Sequence, residues 1–94
     1  MHALTKAEFQ HLMTVAESFK SLVEAPDVYF WEGYIRGLRR RYYGTNFGTA
    51  EEHEKWYNLE GPDPSRRFRG VGYRSALEGE DVKGALRFLE ALAK

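Results

Sequence analysis

No cysteine occurs among the 94 residues, which removes disulfides, thiolate catalysis and cysteine zinc sites together and is compatible with a reducing cytoplasm. Neither sign of charge is in excess. With 14 basic and 14 acidic side chains the formal charge is zero, so no overall field draws the chain to nucleic acid or to membranes, and only a local patch could do so. Long apolar runs are also missing. No window approaches the length needed to span a bilayer, and the N-terminus lacks the basic and continuous apolar regions of a signal peptide; the expectation is a soluble cytoplasmic protein without membrane contact. Proline is confined to Pro26, Pro62 and Pro64, and the stretches between show no strand alternation.

What is present is apolar and aromatic. Hydrophobic residues make up 43% of the chain and aromatic ones 15%, too much for a disordered segment and enough, over this length, for one core in a single domain, residues 1–94. The richest stretch runs from Tyr29 to Phe47. Asp27, after Pro26, reads as the N-cap of a helix that Gly44 ends. At 3.6 residues per turn, Trp31, Ile35, Leu38 and Tyr42 share a seam that Phe30 and Tyr34 widen. Beyond those rings lie Gly33 and Gly37, four apart, where exposed glycine would cost about 1 kcal/mol each against alanine. Two such losses predict a second helix crossing closely there, and hence burial of this helix on two sides. Arg41, projecting toward that second partner, should be paired or stacked.

Helices are also predicted on either side. Thr5 and Glu8 have capping-box spacing, and Phe9, Leu12, Met13, Ala16, Phe19 and Val23 hold one face to about Glu24. Thr49 and Glu52 repeat the spacing before a short helix, about 50–59, that buries Trp56 and Leu59. Ser65 reads as the cap of a fourth helix to about Glu78, with its seam on Gly70, Tyr73, Ala76 and Leu77. Asp81 caps a fifth, striped by Val82, Ala85, Leu86, Leu89 and Ala93. The expected fold is an all-α bundle of about five helices. One echo links two of them: Gly33-Tyr34 before Gly37-Leu38 matches Gly72-Tyr73 before Ala76-Leu77, so each helix has a small-x-x-x-small edge through which the two could pack.

Charge is segregated along the chain. Residues 27–44 and 65–79 are each rich in arginine, whereas 45–64 sets Lys55 alone against five acids, so the short acidic helix is expected to neutralise its basic neighbours internally. Catalytic patterns are poor. Glu8 and His11 have the Glu-x-x-His spacing of carboxylate-bridged metal sites, but lack the second pair and face away from the apolar seam. His53, beside Glu52 and one turn before Trp56 and Tyr57, reads as a partly buried, hydrogen-bonded histidine. No glycine loop follows a strand to cradle phosphate, and no serine has the context of a nucleophile. The chain is therefore read as a non-enzyme with no cofactor and no metal.

Binding candidates are Arg36, Arg39, Arg40 and Tyr43 on the outer arc of the central helix, with Arg67 and Arg74 on the fourth. Tyr43, Tyr57 and Phe68 project away from their seams as possible anchors. These residues favour a protein-interaction or self-associating module whose partner is an unknown protein or the chain itself. The alternative is phosphate-backbone binding to nucleic acid through the arginines, which the absent helix-turn-helix spacing and the acidic segment disfavour.

Overall fold

Thr5 opens the first helix as its spacing demands. In the computed structural model, which describes residues 3–93, its hydroxyl accepts from the Glu8 N–H at 3.1 Å and the Glu8 carboxylate accepts from the Thr5 N–H at 2.9 Å. Helix α1 (Lys6–Leu22) ends two residues before the expected boundary, where Val23 turns extended. Then follow α2 (Asp27–Tyr43), a 3₁₀ turn (Gly44–Asn46), α3 (Ala50–Tyr57), α4 (Pro64–Leu77) and α5 (Val82–Leu92). There is no strand among the described residues, and the fold is an all-α bundle of five helices.

Two caps differ from expectation. Asp27 is the first helical residue and not the N-cap: Pro26 holds that position without a side-chain bond, and carbonyls of Glu24 and Pro26 take the Val28 and Tyr29 N–H groups instead. Asp63, not Ser65, caps α4. Its carboxylate accepts from the Ser65 N–H and hydroxyl, both at 3.0 Å, with Pro64 at the first helical position, where a missing N–H costs nothing. Helix α3 stops at Tyr57, two residues short of the expected end, while the remaining ends follow the sequence. Gly44, at φ 63°, returns its N–H to the Arg40 carbonyl, and Asp81 caps α5 through the Gly84 N–H. At the end of α4, Gly79 at φ 94° lets Glu80 and Gly79 bond back to the Ser75 and Ala76 carbonyls, the paired closure of a Schellman motif.

Helix α2 is buried on two sides. Phe30, Trp31, Tyr34 and Leu38 are all fully enclosed, with Ile35, Gly33 and Gly37 buried among them. On one side lies α1, whose Phe19 stacks on Trp31 at 5.0 Å between centroids. On the other lies α4, and the two like edges meet there. A β-carbon at Gly33 would run into the Arg69 carbonyl, and one at Gly72 into the Phe30 carbonyl; one at Gly37 would stand 2.7 Å from both the Tyr73 carbonyl oxygen and the Ala76 methyl. The contacts are reciprocal: each glycine meets the carbonyl three residues before its counterpart on the other helix. Since Gly33 faces Arg69 and Gly37 faces Tyr73, α2 and α4 run in the same sense. The tyrosines of the echo behave alike too. Tyr34 donates across to the Glu80 carbonyl at 2.8 Å, and Tyr73 reaches His53 of α3 at 2.7 Å.

Leu59 is buried just beyond the end of α3, its carbonyl lying where a β-carbon on Gly70 would stand. Phe68 is a correction. It is 5% exposed and belongs to the core, because α4 is covered by α2, α3 and α5, so more than its predicted seam is enclosed.

Candidate functional site

The six candidate residues divide into those whose polar atoms are used inside the molecule and those that face outward. Arg36 belongs to the first group. Its guanidinium bonds the Glu52 carboxylate at 3.0 Å and lies over the Trp56 ring at 4.6 Å and the Phe47 ring at 5.3 Å. Glu52 thus serves α2 through one oxygen and accepts from the Thr49 hydroxyl at 3.3 Å through the other, while Thr49 caps α3 by accepting from the Glu52 N–H. Arg40 donates to the Phe47 carbonyl at 3.0 Å and so fastens the loop after α2 to its last turn. Arg74 donates to the Tyr57 and Leu59 carbonyls at 2.8 and 3.1 Å, closing the C-terminal end of α3 with a cation where the helix dipole is negative.

Arg39, Tyr43 and Arg67 face outward. Arg39 reaches Glu17 of α1 at 3.8 Å with both side chains about half exposed, a geometry worth little in solvent. Arg67 is exposed on α4. Tyr43 is 48% exposed, yet its ring is held on several sides: Tyr42 at 5.0 Å and Phe9 at 5.6 Å meet it edge-on, and Phe47 stacks at 6.5 Å. Tyr42 in turn stacks flat on Phe9 at 4.2 Å. Four rings from α1, α2 and the following loop therefore make one aromatic corner, and Arg39 lies one turn before Tyr43 on the same helix face.

Of the five candidate arginines, Arg36, Arg40 and Arg74 are thus tied to groups within the molecule, and Arg39 and Arg67 face outward from different helices. Internal neutralisation accounts for part of the charge segregation, since Arg36 pairs with acidic α3. The remainder is met otherwise: Arg69 takes Glu32 of α2 at 2.9 Å and covers the Tyr29 ring, and Arg74 uses carbonyls.

His53 is partly buried and hydrogen-bonded, its Nδ1 standing 2.7 Å from the Tyr73 hydroxyl with Tyr57 and Tyr73 rings beside it. Burial lowers its pKa from the ordinary histidine value, the Arg40 charge lowers it further, and Glu54 opposes both. Tyr73 is pushed up by burial, against the pull of Arg40 and Arg36. Periodicity placed Tyr73 on the α4 seam but gave its hydroxyl no partner. Part of the signal was in the sequence, because a buried phenol needs a partner, but no spacing pointed to His53, 20 residues away.

His11 is exposed on α1, and the Glu8 carboxylate beside it is used in the capping box. Among the described residues no three acidic or histidine side chains converge as a metal site would, and no helix is long and apolar enough to cross a membrane. Comparison of the chain with protein-family models, with curated proteins and with solved structures finds no match.

Proposed function

We propose that this protein is a small non-enzymatic helical module that works by binding a protein partner or a second copy of itself, with the aromatic corner and Arg39 as its anchor. The observation that supports this is Tyr43: a large ring half open to solvent, yet held in place by Phe9, Tyr42 and Phe47. Such a side chain loses little conformational freedom on binding, and tyrosine and arginine are, with tryptophan, the residues enriched at energetic centres of interfaces. The weak Arg39–Glu17 contact leaves that guanidinium available to a partner at small cost.

Sedimentation velocity across a concentration series up to about 1 mM, weak enough to report even a marginal interface, tests the self-association arm. A concentration-dependent increase in sedimentation coefficient that Tyr43→Ala abolishes is the expected result. A parent that stays monomeric throughout removes that arm and leaves the heterologous partner. If Tyr43→Ala instead lowers stability by more than about 3 kcal/mol, as truncating a buried ring does, the corner is a structural cluster and the proposal fails.

The nucleic-acid alternative makes a separate demand. With Arg36 paired to Glu52 and Arg74 spent on carbonyls, fluorescence anisotropy at near-physiological salt should find a dissociation constant no tighter than about 10⁻⁵ M for mixed-sequence DNA or RNA, within the non-specific range. A submicromolar constant lost on substituting Arg39 and Arg40 with alanine would overturn the interaction module.

A further inference from the structure

Positive side chains line three of the cavities among the described residues, and one of these has no carboxylate in its lining. Against Trp56, Lys55, Arg66 and Arg69 share a cavity with Glu32, which binds Arg69 at 2.9 Å. Between α4 and α5, Arg74 shares one with Glu78. The third differs. It lies between the C-terminal ends of α2 and α4 and the flank of α3, encloses about 280 Å³, and is lined by Arg40, Arg41, Gly44, Thr45, His53 and Leu77.

We propose that this cavity binds a small oxyanion of the phosphate-ester class, with Arg40 and Arg41 supplying charge and His53 and Thr45 supplying hydrogen bonds. Arg40 carries most of the case. Its bond to the Phe47 carbonyl fixes the guanidinium through one donor without neutralising it, leaving further N–H groups in the planar fork that suits phosphate oxygens. Arg41 adds field, opposed by Glu80 and Asp81, since all three charges act on the Tyr34 phenol. The Tyr73 hydroxyl occupies Nδ1 of His53, so Nε2 is the ring nitrogen left to meet a ligand. Burial chiefly, and the Arg40 charge after it, disfavour the imidazolium against Glu54, so the field of the Arg40 guanidinium reaches the His53 ring.

Helix ends would ordinarily oppose an anion here, since α2 and α4 both present negative ends. The α4 carbonyls of Arg74, Ser75 and Ala76 are engaged by Glu78, Glu80 and Gly79, and at α2 the Arg40 carbonyl takes the Gly44 N–H, so the guanidinium charges have the less to offset. The cleft is at the lower edge of ligand-site size and has room for a phosphate carrying a short body, independently of the aromatic corner.

The test follows the histidine ring resonances of the intact chain by NMR while inorganic phosphate is added near pH 7.5, against sodium chloride at matched ionic strength and against sodium acetate. His53 should move saturably with phosphate and its pKa should rise, because a bound anion favours the imidazolium; exposed His11 should not follow. Arg40→Gln should weaken the response about tenfold, the usual scale for losing a charged hydrogen bond. Because Arg40 also holds the loop, Thr45→Val serves as a second variant with a smaller loss, and Arg87→Gln on α5 should change nothing. If chloride moves His53 as phosphate does, if His11 follows in step, or if folded Arg40→Gln and Thr45→Val both bind like the parent, there is no such site. Acetate binding more tightly than phosphate would overturn the phosphate assignment.

Discussion

Gly72→Ala and Gly33→Ala should each destabilise the protein by about 3 kcal/mol or more, at or above the usual range for overpacking a tight core. One methyl group suffices because its obstacle is main chain: the Phe30 carbonyl in one case and the Arg69 carbonyl in the other. A side chain could rotate aside, but a helix carbonyl moves only if the helices part. Alanine's better helix propensity returns at most about 1 kcal/mol, so the sign is not in doubt. Gly37 provides the graded comparison. Its β-carbon would stand 2.7 Å from the Ala76 methyl as well as from the Tyr73 carbonyl, so Gly37→Ala should cost about 1–2 kcal/mol and Gly37→Leu more than about 2. Chemical denaturation reads all four. Should Gly72→Ala prove as stable as the parent, α2 and α4 do not cross at this distance.

Trp31→Ala carries the second large effect, about 3–5 kcal/mol by the usual cost of removing a large buried ring. The indole is fully enclosed, stacked on Phe19 and meeting Phe30 and Tyr34 edge-on, so the surrounding rings cannot collapse into the space without losing one another. Folded domains of this kind have about 5–15 kcal/mol in all, so the variant should be largely unfolded at moderate temperature. Trp31→Phe should be much milder. The indole N–H is buried without an acceptor among the described residues, a situation costing about 1–3 kcal/mol, and phenylalanine removes that cost while keeping most of the stacking. Comparing thermal melts of the two variants separates volume from polarity. If Trp31→Phe is as damaging as Trp31→Ala, the N–H has a partner that matters.

Repeating small residues make the central crossing legible in the sequence. Gly33 and Gly37 had no reason to sit inside a helix except close approach, and the Gly72–Ala76 edge supplied the complementary surface. Capping was legible to within two residues. Asp27 and Ser65 were misplaced because aspartate and serine near a proline can each close the first turn from neighbouring positions, and periodicity does not choose between them. Phe68 was misjudged for another reason: a single seam describes a helix covered on one side, whereas α4 is covered on three. The arginines were the least legible. Arg40 and Arg74 find main-chain carbonyls in the loops they fasten, and no spacing in a sequence announces a carbonyl. The cavity by His53 escaped notice likewise, since Arg40, Thr45, His53 and Leu77 come together only once α4 has folded back beside α2.

The reciprocal contact between α2 and α4 has the geometry of a two-fold dimer interface, except that both halves belong to one chain. An interface satisfied within the molecule offers nothing to a copy of it, because neither glycine edge remains to be covered. Association through native surfaces must therefore use some other region. The one way for two chains to meet along the glycine edges is to exchange helices, each lending its α4 to the other's α2. That exchange would require the native crossing to open first, so it belongs to refolding at high concentration and not to the folded protein.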